Sequence, residues 1–188
     1  MTRKEQKEEK RRAILMTALE LFVKNGYHDT KITDIAKAVP MSTGLMFHYF
    51  ESKEVLLLEL VKTGAGATAS TDKLKELPPD MYFTMFLKSL FEYSKEQPWV
   101  FNMFVLMGRA RRSDMPEDVR KVAKSVSAVE ASAEVIRKGQ EQGVFKKGDP
   151  LQLSLCFWAA VQGIMEEMAM DPTVKAPEPE WLVDMIKA

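Results

Sequence analysis

The chain has one cysteine, Cys156, and two histidines, His28 and His48, among 188 residues. A single thiol excludes an intrachain disulfide and suits a reducing compartment. So few thiols and imidazoles, with no His/Glu cluster at ligand spacing, argue against a metal centre and against an enzyme built in a helical bundle. Glu166 and Glu167 are adjacent, so on a helix they point apart and do not make a working carboxylate pair. The Gly64-Ala65-Gly66 segment has no strand before it, which removes a nucleotide-binding reading, and no cofactor is expected. No apolar run is long enough to span a bilayer and the charged first residues are not signal-like, so the expectation is a cytoplasmic protein without a membrane partner. Sustained strand alternation is also missing, and the predicted fold is all-α.

Net charge is absent too, since 27 Lys and Arg balance 27 Asp and Glu. The balance conceals an asymmetry. Residues 1–53 hold ten basic against seven acidic side chains, leaving seventeen against twenty in the remainder. The positive excess lies in the part of the chain that also carries the strongest motif. The first run, TRKEQKEEKRR, mixes signs and reads equally as a solvated helix extension or as an arm that seeks phosphate.

From Ile14 the apolar residues Ile14, Leu15, Ala18, Leu19, Phe22 and Val23 draw one buried helical stripe, which Gly26 ends as a C-terminal capping glycine would. A second short helix around Thr33 to Ala38 buries Ile35 and Ala36. After a few residues Ser42 can cap a third helix carrying Thr43, Gly44, Leu45, Met46, Phe47, His48, Tyr49 and Phe50. Two short helices joined by a tight turn, the second small and polar at its start, match the helix-turn-helix motif. Ser42 and Thr43 can donate to phosphates or base edges. Gly44 keeps the approach open, Leu45 suits a thymine methyl, and Phe47, His48 and Lys53 sit where a backbone strand would pass. Tyr49 and Phe50 read as core aromatics, and His48 alone would read as an ordinary surface histidine.

Taken together, LELFVKNGY, the following threonine, the Ile35–Ala36 pair and the closing FHYFESK resemble the N-terminal domain of the TetR family of bacterial transcriptional repressors. The resemblance implies DNA contact from Thr33, Ser42, Thr43, Gly44, Leu45, Phe47, His48 and Lys53, with a double-stranded DNA operator as partner. Two departures stand out. Val39, Pro40 and Met41 replace the usual Ala-Gly-Val, and proline is not expected to take the positive φ that glycine supplies in a tight turn. Phe47 replaces the more usual tyrosine, which removes a hydroxyl that could reach a phosphate.

Beyond Lys53 the pattern stays helical. Ser52 can cap a helix through VLLLELVK toward TGAGATAST, whose glycines are expected to let the reader pivot against the rest. Residues 80–96, apolar nearly all round, are predicted to be a largely buried helix. Pro98 opens another, and a long helix is predicted from about Pro116 to Gln142, acidic at its start and basic near its end. Asp149 and Pro150 then start LQLSLCFWAAVQGIMEEMAM, and a short last helix runs from about Pro179 to Lys187.

Nine of the chain's thirteen methionines and a set of aromatics give this second region more soft surface than a core needs, although any one of them alone reads as packing. Because TetR-like proteins usually carry an inducer pocket here, the resemblance points to a small hydrophobic ligand and to Phe86, Leu90, Trp99, Met103, Met107, Trp158, Gln162 and Met165. Arg109, Arg111 and Arg112 could receive an acidic ligand group or form an exposed basic turn. One recognition helix reads few base pairs, so a homodimer setting two readers roughly 34–36 Å apart is the usual solution. The resemblance places that contact on the last two helices, where Leu155, Trp158, Ala159, Ile164, Trp181 and Met185 are available. Trp158 is claimed by both pocket and interface. The expectation is thus a helix-turn-helix DNA-binding domain over residues 1–53, a ligand-binding and dimerisation domain over 54–188, and a repressor released from a palindromic operator by its inducer.

Overall fold

The computed structural model describes residues 2–69, 74 and 76–188, and no strand occurs among them. The helices are α1 (Arg3–Asn25), α2 (Ile32–Ala38), α3 (Thr43–Phe47), α4 (Lys53–Ala69), α5 (Pro79–Glu96), α6 (Trp99–Arg109), α7 (Glu117–Lys124), α8 (Ala128–Glu141), α9 (Pro150–Met170) and α10 (Pro179–Asp184). The N-terminal run is helical from its first turn. Thr2 caps α1 by accepting from the Glu5 amide, and the Glu5 carboxylate accepts from the Thr2 amide in return, a capping box that satisfies two otherwise unpaired donors.

Two hydrophobic cores divide the chain, and the first is not confined to the reader. Ile14, Leu19, Phe22, Ile35, Met46 and Phe50 pack with Leu56, Leu57, Leu60 and Val61 of α4, with Met103 and Leu106 of α6, and with Val119 and Ala123 of α7. The second core joins Phe83, Leu87 and Phe91 of α5 to Ile136 of α8, Phe157, Val161 and Met165 of α9, and Leu182 and Val183 of α10. Helix α6 therefore contributes to both, through Met103 and Leu106 on one side and Val100 on the other.

Polar ties reinforce the joint between the reader and the rest. Arg11 grips the Glu59 carboxylate with two donors and lies over the Phe50 ring, so one of the early basic residues is committed to the fold. Arg109, at the end of α6, donates to the Val23 carbonyl in the last turn of α1 at 2.7 Å.

Three sequence expectations change. Helix α5 is not buried all round: Met81, Met85 and Tyr93 stay exposed, because the second core covers only the face of Tyr82, Phe83, Leu87 and Phe91. The long helix over 116–142 is broken into α7 and α8. Ser125 bonds back to the Val122 carbonyl and Ser127 starts afresh by capping the Glu130 amide, while Arg111 from outside takes the carbonyls of Ala123 and Val126 that a continuous helix would use internally. Pro40 has a positive φ, +23°, where a negative one was expected of a proline.

The glycine stretch remains helical through Ala69, and Ser70 and Thr71 lie outside the described residues. Gly64 is not a slack position. A Cβ there would stand 2.6 Å from the Met107 sulfur, whereas one at Gly66 would meet nothing.

Candidate nucleic-acid interface and ligand cavity

Helix α3 is held by two side chains and free on its other face. Met46 and, just past the helix end, Phe50 are fully buried, and Leu45 and Phe47 stand 43% and 48% exposed. The Ser42 hydroxyl oxygen accepts from the Leu45 amide at 3.2 Å, which leaves its O–H able to donate outward. Gly44 has no atom near its missing Cβ. Thr43 is half-buried, and His48 is exposed, as is Thr33 on α2. Together these residues make a surface of small, hydroxylated and apolar groups at one end of the molecule.

Lys53 has a different place. Its ammonium donates to the carbonyls of Tyr27 at 2.6 Å, Thr30 at 2.7 Å and His28 at 3.3 Å, and lies over the Tyr27 ring. It closes the α1–α2 turn from the start of α4. Burial holds its pKa below the ordinary lysine value, with Asp29 pulling the other way. Lys53→Ala is therefore expected to lower the melting temperature, by about 1–3 kcal/mol of stability, with little change in the salt dependence of DNA binding. A salt slope reduced by about one at an unchanged melting temperature would instead make Lys53 a phosphate contact.

A cavity of about 510 Å³ opens between α4, α5, α6, α8 and α9. Phe86, Leu90, Trp99, Met103, Met107, Trp158 and Gln162 line it, and so do Gly64, Tyr93, Phe104, Arg111, Leu155 and Ala159. Gly64 matters because only hydrogen fits beside Met107, so α4 can approach α6 closely. The Trp158 indole N–H donates to Ser132 Oγ at 2.7 Å and its ring meets Phe86 edge-on. That anchor turns Trp158 into the cavity. Gln162 donates to the Phe104 carbonyl and to Glu166, placing polar groups at one end.

Met165 does not reach the cavity. It continues the Phe157–Val161 row along α9, the row that enters the second core, and is fully buried there. Among the residues expected at a dimer contact, Leu155, Ala159, Trp181 and Met185 are exposed, and Ile164 is half-buried against the second core. Leu155 and Ala159 also border the cavity, so its rim and the free face of α9 coincide. Sequence reasoning missed Tyr93, Phe104 and Gly64 as cavity residues. A glycine inside a helical pattern was the available signal for Gly64; Tyr93 and Phe104 carried none that set them apart from core aromatics.

The family model for bacterial regulatory proteins of the tetR family matches residues 14–60, from the middle of α1 to the middle of α4. Over that span the chain is similar to the DNA-binding segment of the TetR family. It is 29% identical over 163 residues to the HTH-type transcriptional regulator YuxN of Bacillus subtilis, covering 84% of this chain and 53% of that protein. The chain thus spans about half the length of that relative. Its fold is similar to the MbdR regulator from Azoarcus sp. CIB, with a TM-score of 0.79 at 24% identity over 93% of this chain and 95% of that one. It is also similar to AibR, solved with isovaleryl coenzyme A and operator DNA, with a TM-score of 0.71 at 18% identity over 93% of this chain and 94% of that one. Among the described residues no helix is long and apolar enough to cross a membrane.

Proposed function

We propose that this chain is a ligand-responsive DNA-binding transcriptional repressor that acts as a homodimer. Residues 1–53 form the reading unit, with α3 in the major groove, and residues 54–188 form the ligand-binding and dimerisation unit. The observation that carries the reading is the double role of α6. The same helix lines the cavity with Trp99, Met103 and Met107, buries Met103 and Leu106 in the core under the reader, and ends in Arg109, whose guanidinium holds the Val23 carbonyl at the end of α1. A molecule that prefers one setting of α6 shifts the angle of α1, and with it the separation of two α3 helices in a dimer. The AibR complex, which holds both isovaleryl coenzyme A and operator DNA, supports a cavity and a reader working together in this fold. Thr33, Ser42, Thr43, Gly44, Leu45, Phe47 and His48 are the proposed DNA contacts. The free face of α9 with Leu155 and Ala159, together with Trp181 and Met185, is the proposed dimer face.

The test is a gel shift of the purified protein on duplexes from the region flanking its own gene, at two salt concentrations, with sedimentation in parallel. The expected result is a dimer that binds a near-palindromic site, with an affinity that falls steeply as salt rises, because several phosphates are neutralised at once. A protein that stays monomeric and ignores every such duplex would refute the proposal.

A further inference from the structure

The cavity wall carries one charge among the described residues, and it is Arg111. Aromatic rings, methionines, Leu and Val side chains and small residues make up all of the rest but Gln162, so the space suits an apolar body. Arg111 stands exposed at the edge, where the carbonyls of Ala123 and Val126 meet the break between α7 and α8. Its Nε donates to the Ala123 carbonyl and its Nη2 to the Val126 carbonyl. No carboxylate partners it among the described residues. One edge of the guanidinium is therefore fixed by the backbone, and the Nη1–Nη2 end remains open. That end presents two parallel N–H donors, the arrangement a carboxylate matches with two hydrogen bonds.

We infer that the ligand is an amphiphilic monocarboxylate, its apolar body among Phe86, Trp99, Met103, Met107 and Trp158 and its carboxylate on the free end of Arg111. The inference rests on the ligand-responsive reading above and adds the chemical class of the ligand. A single negative charge is what the site can neutralise, since no second cation lines the wall. The head group stays at the solvent-facing rim, so it keeps part of its hydration while the body is desolvated. The carbonyls of Ala123 and Val126 hold the guanidinium in place before the ligand arrives, which reduces the ordering that binding requires.

Calorimetric titration of the intact protein with decanoate and with decanol separates the charge from the apolar body. Both are expected to bind, decanoate more tightly by about tenfold or more, as a charge-assisted hydrogen bond implies. In Arg111→Gln the preference for decanoate is expected to vanish while decanol binds as before, which also shows that the variant is folded. Arg111→Lys, with charge but no fork, should keep only part of the preference. Decanol binding as tightly as decanoate in the unaltered protein would overturn the inference without any variant, and so would a preference that survives in Arg111→Gln; both outcomes leave the apolar cavity standing. If neither compound binds, the ligand-responsive reading and the inference fall together.

Discussion

Leu45→Glu is expected to abolish operator binding, by about 100-fold or more, in a protein that melts at or above the temperature of the parent. The two effects separate because of where Leu45 stands. Its side chain is 43% exposed on the free face of α3, so removing it leaves no cavity, and surface substitutions of this kind usually change stability by about 0.5 kcal/mol or less. Glutamate at that position also completes a capping box, since Leu45 is the third helical residue after Ser42, whose hydroxyl already accepts from the residue 45 amide. The helix gains an N-terminal partner and the DNA gains a carboxylate facing its phosphates, a like-charge contact that costs several kcal/mol. A gel shift at fixed salt, beside a thermal melt, reads both. A variant that bound like the parent would remove α3 from the DNA interface.

Gly139→Ala is expected to lower the stability of the chain by about 2–3 kcal/mol, or about 5–10 °C in melting temperature. A Cβ on residue 139 would stand 2.2 Å from the Phe145 ring. That ring cannot yield easily. It is 1% exposed, meets Phe83 edge-on, and is tied by the Val144 and Phe145 amides, which both donate to the Gly139 carbonyl. The control is Gly66→Ala, at a helical position where a Cβ meets nothing. There the substitution should raise stability by up to about 1 kcal/mol. Thermal melts of the two variants side by side decide the matter, and a Gly139→Ala protein as stable as the parent would show that the α8–α9 corner has room to relax.

The elements of the reader were legible because each is set by neighbours in the chain. Gly26 ends α1 at φ +89°, Ser42 caps α3, and the apolar spacing of Ile14, Ala18, Leu19 and Phe22 is the face that is buried. The break between α7 and α8 was not legible in that way. Its serines are compatible with a continuous helix, and the donor that satisfies the freed carbonyls, Arg111, comes from a segment outside both helices. Lys53 shows the same limit at a single residue. Its position after an aromatic run reads as a phosphate contact, but the turn from α1 to α2 brings three carbonyls to its ammonium.

Local pattern was enough for helix type and for the helix-turn-helix order, because hydrophobic periodicity and capping act over one or two turns; the cavity residues were named only through the family resemblance. Folding in three dimensions settled which side of each helix meets which neighbour. Met165 went into the core, Trp158 into the cavity, and α6 between reader and cavity, because rows one turn apart on a helix are equivalent in sequence and become distinct only when another helix packs against one of them.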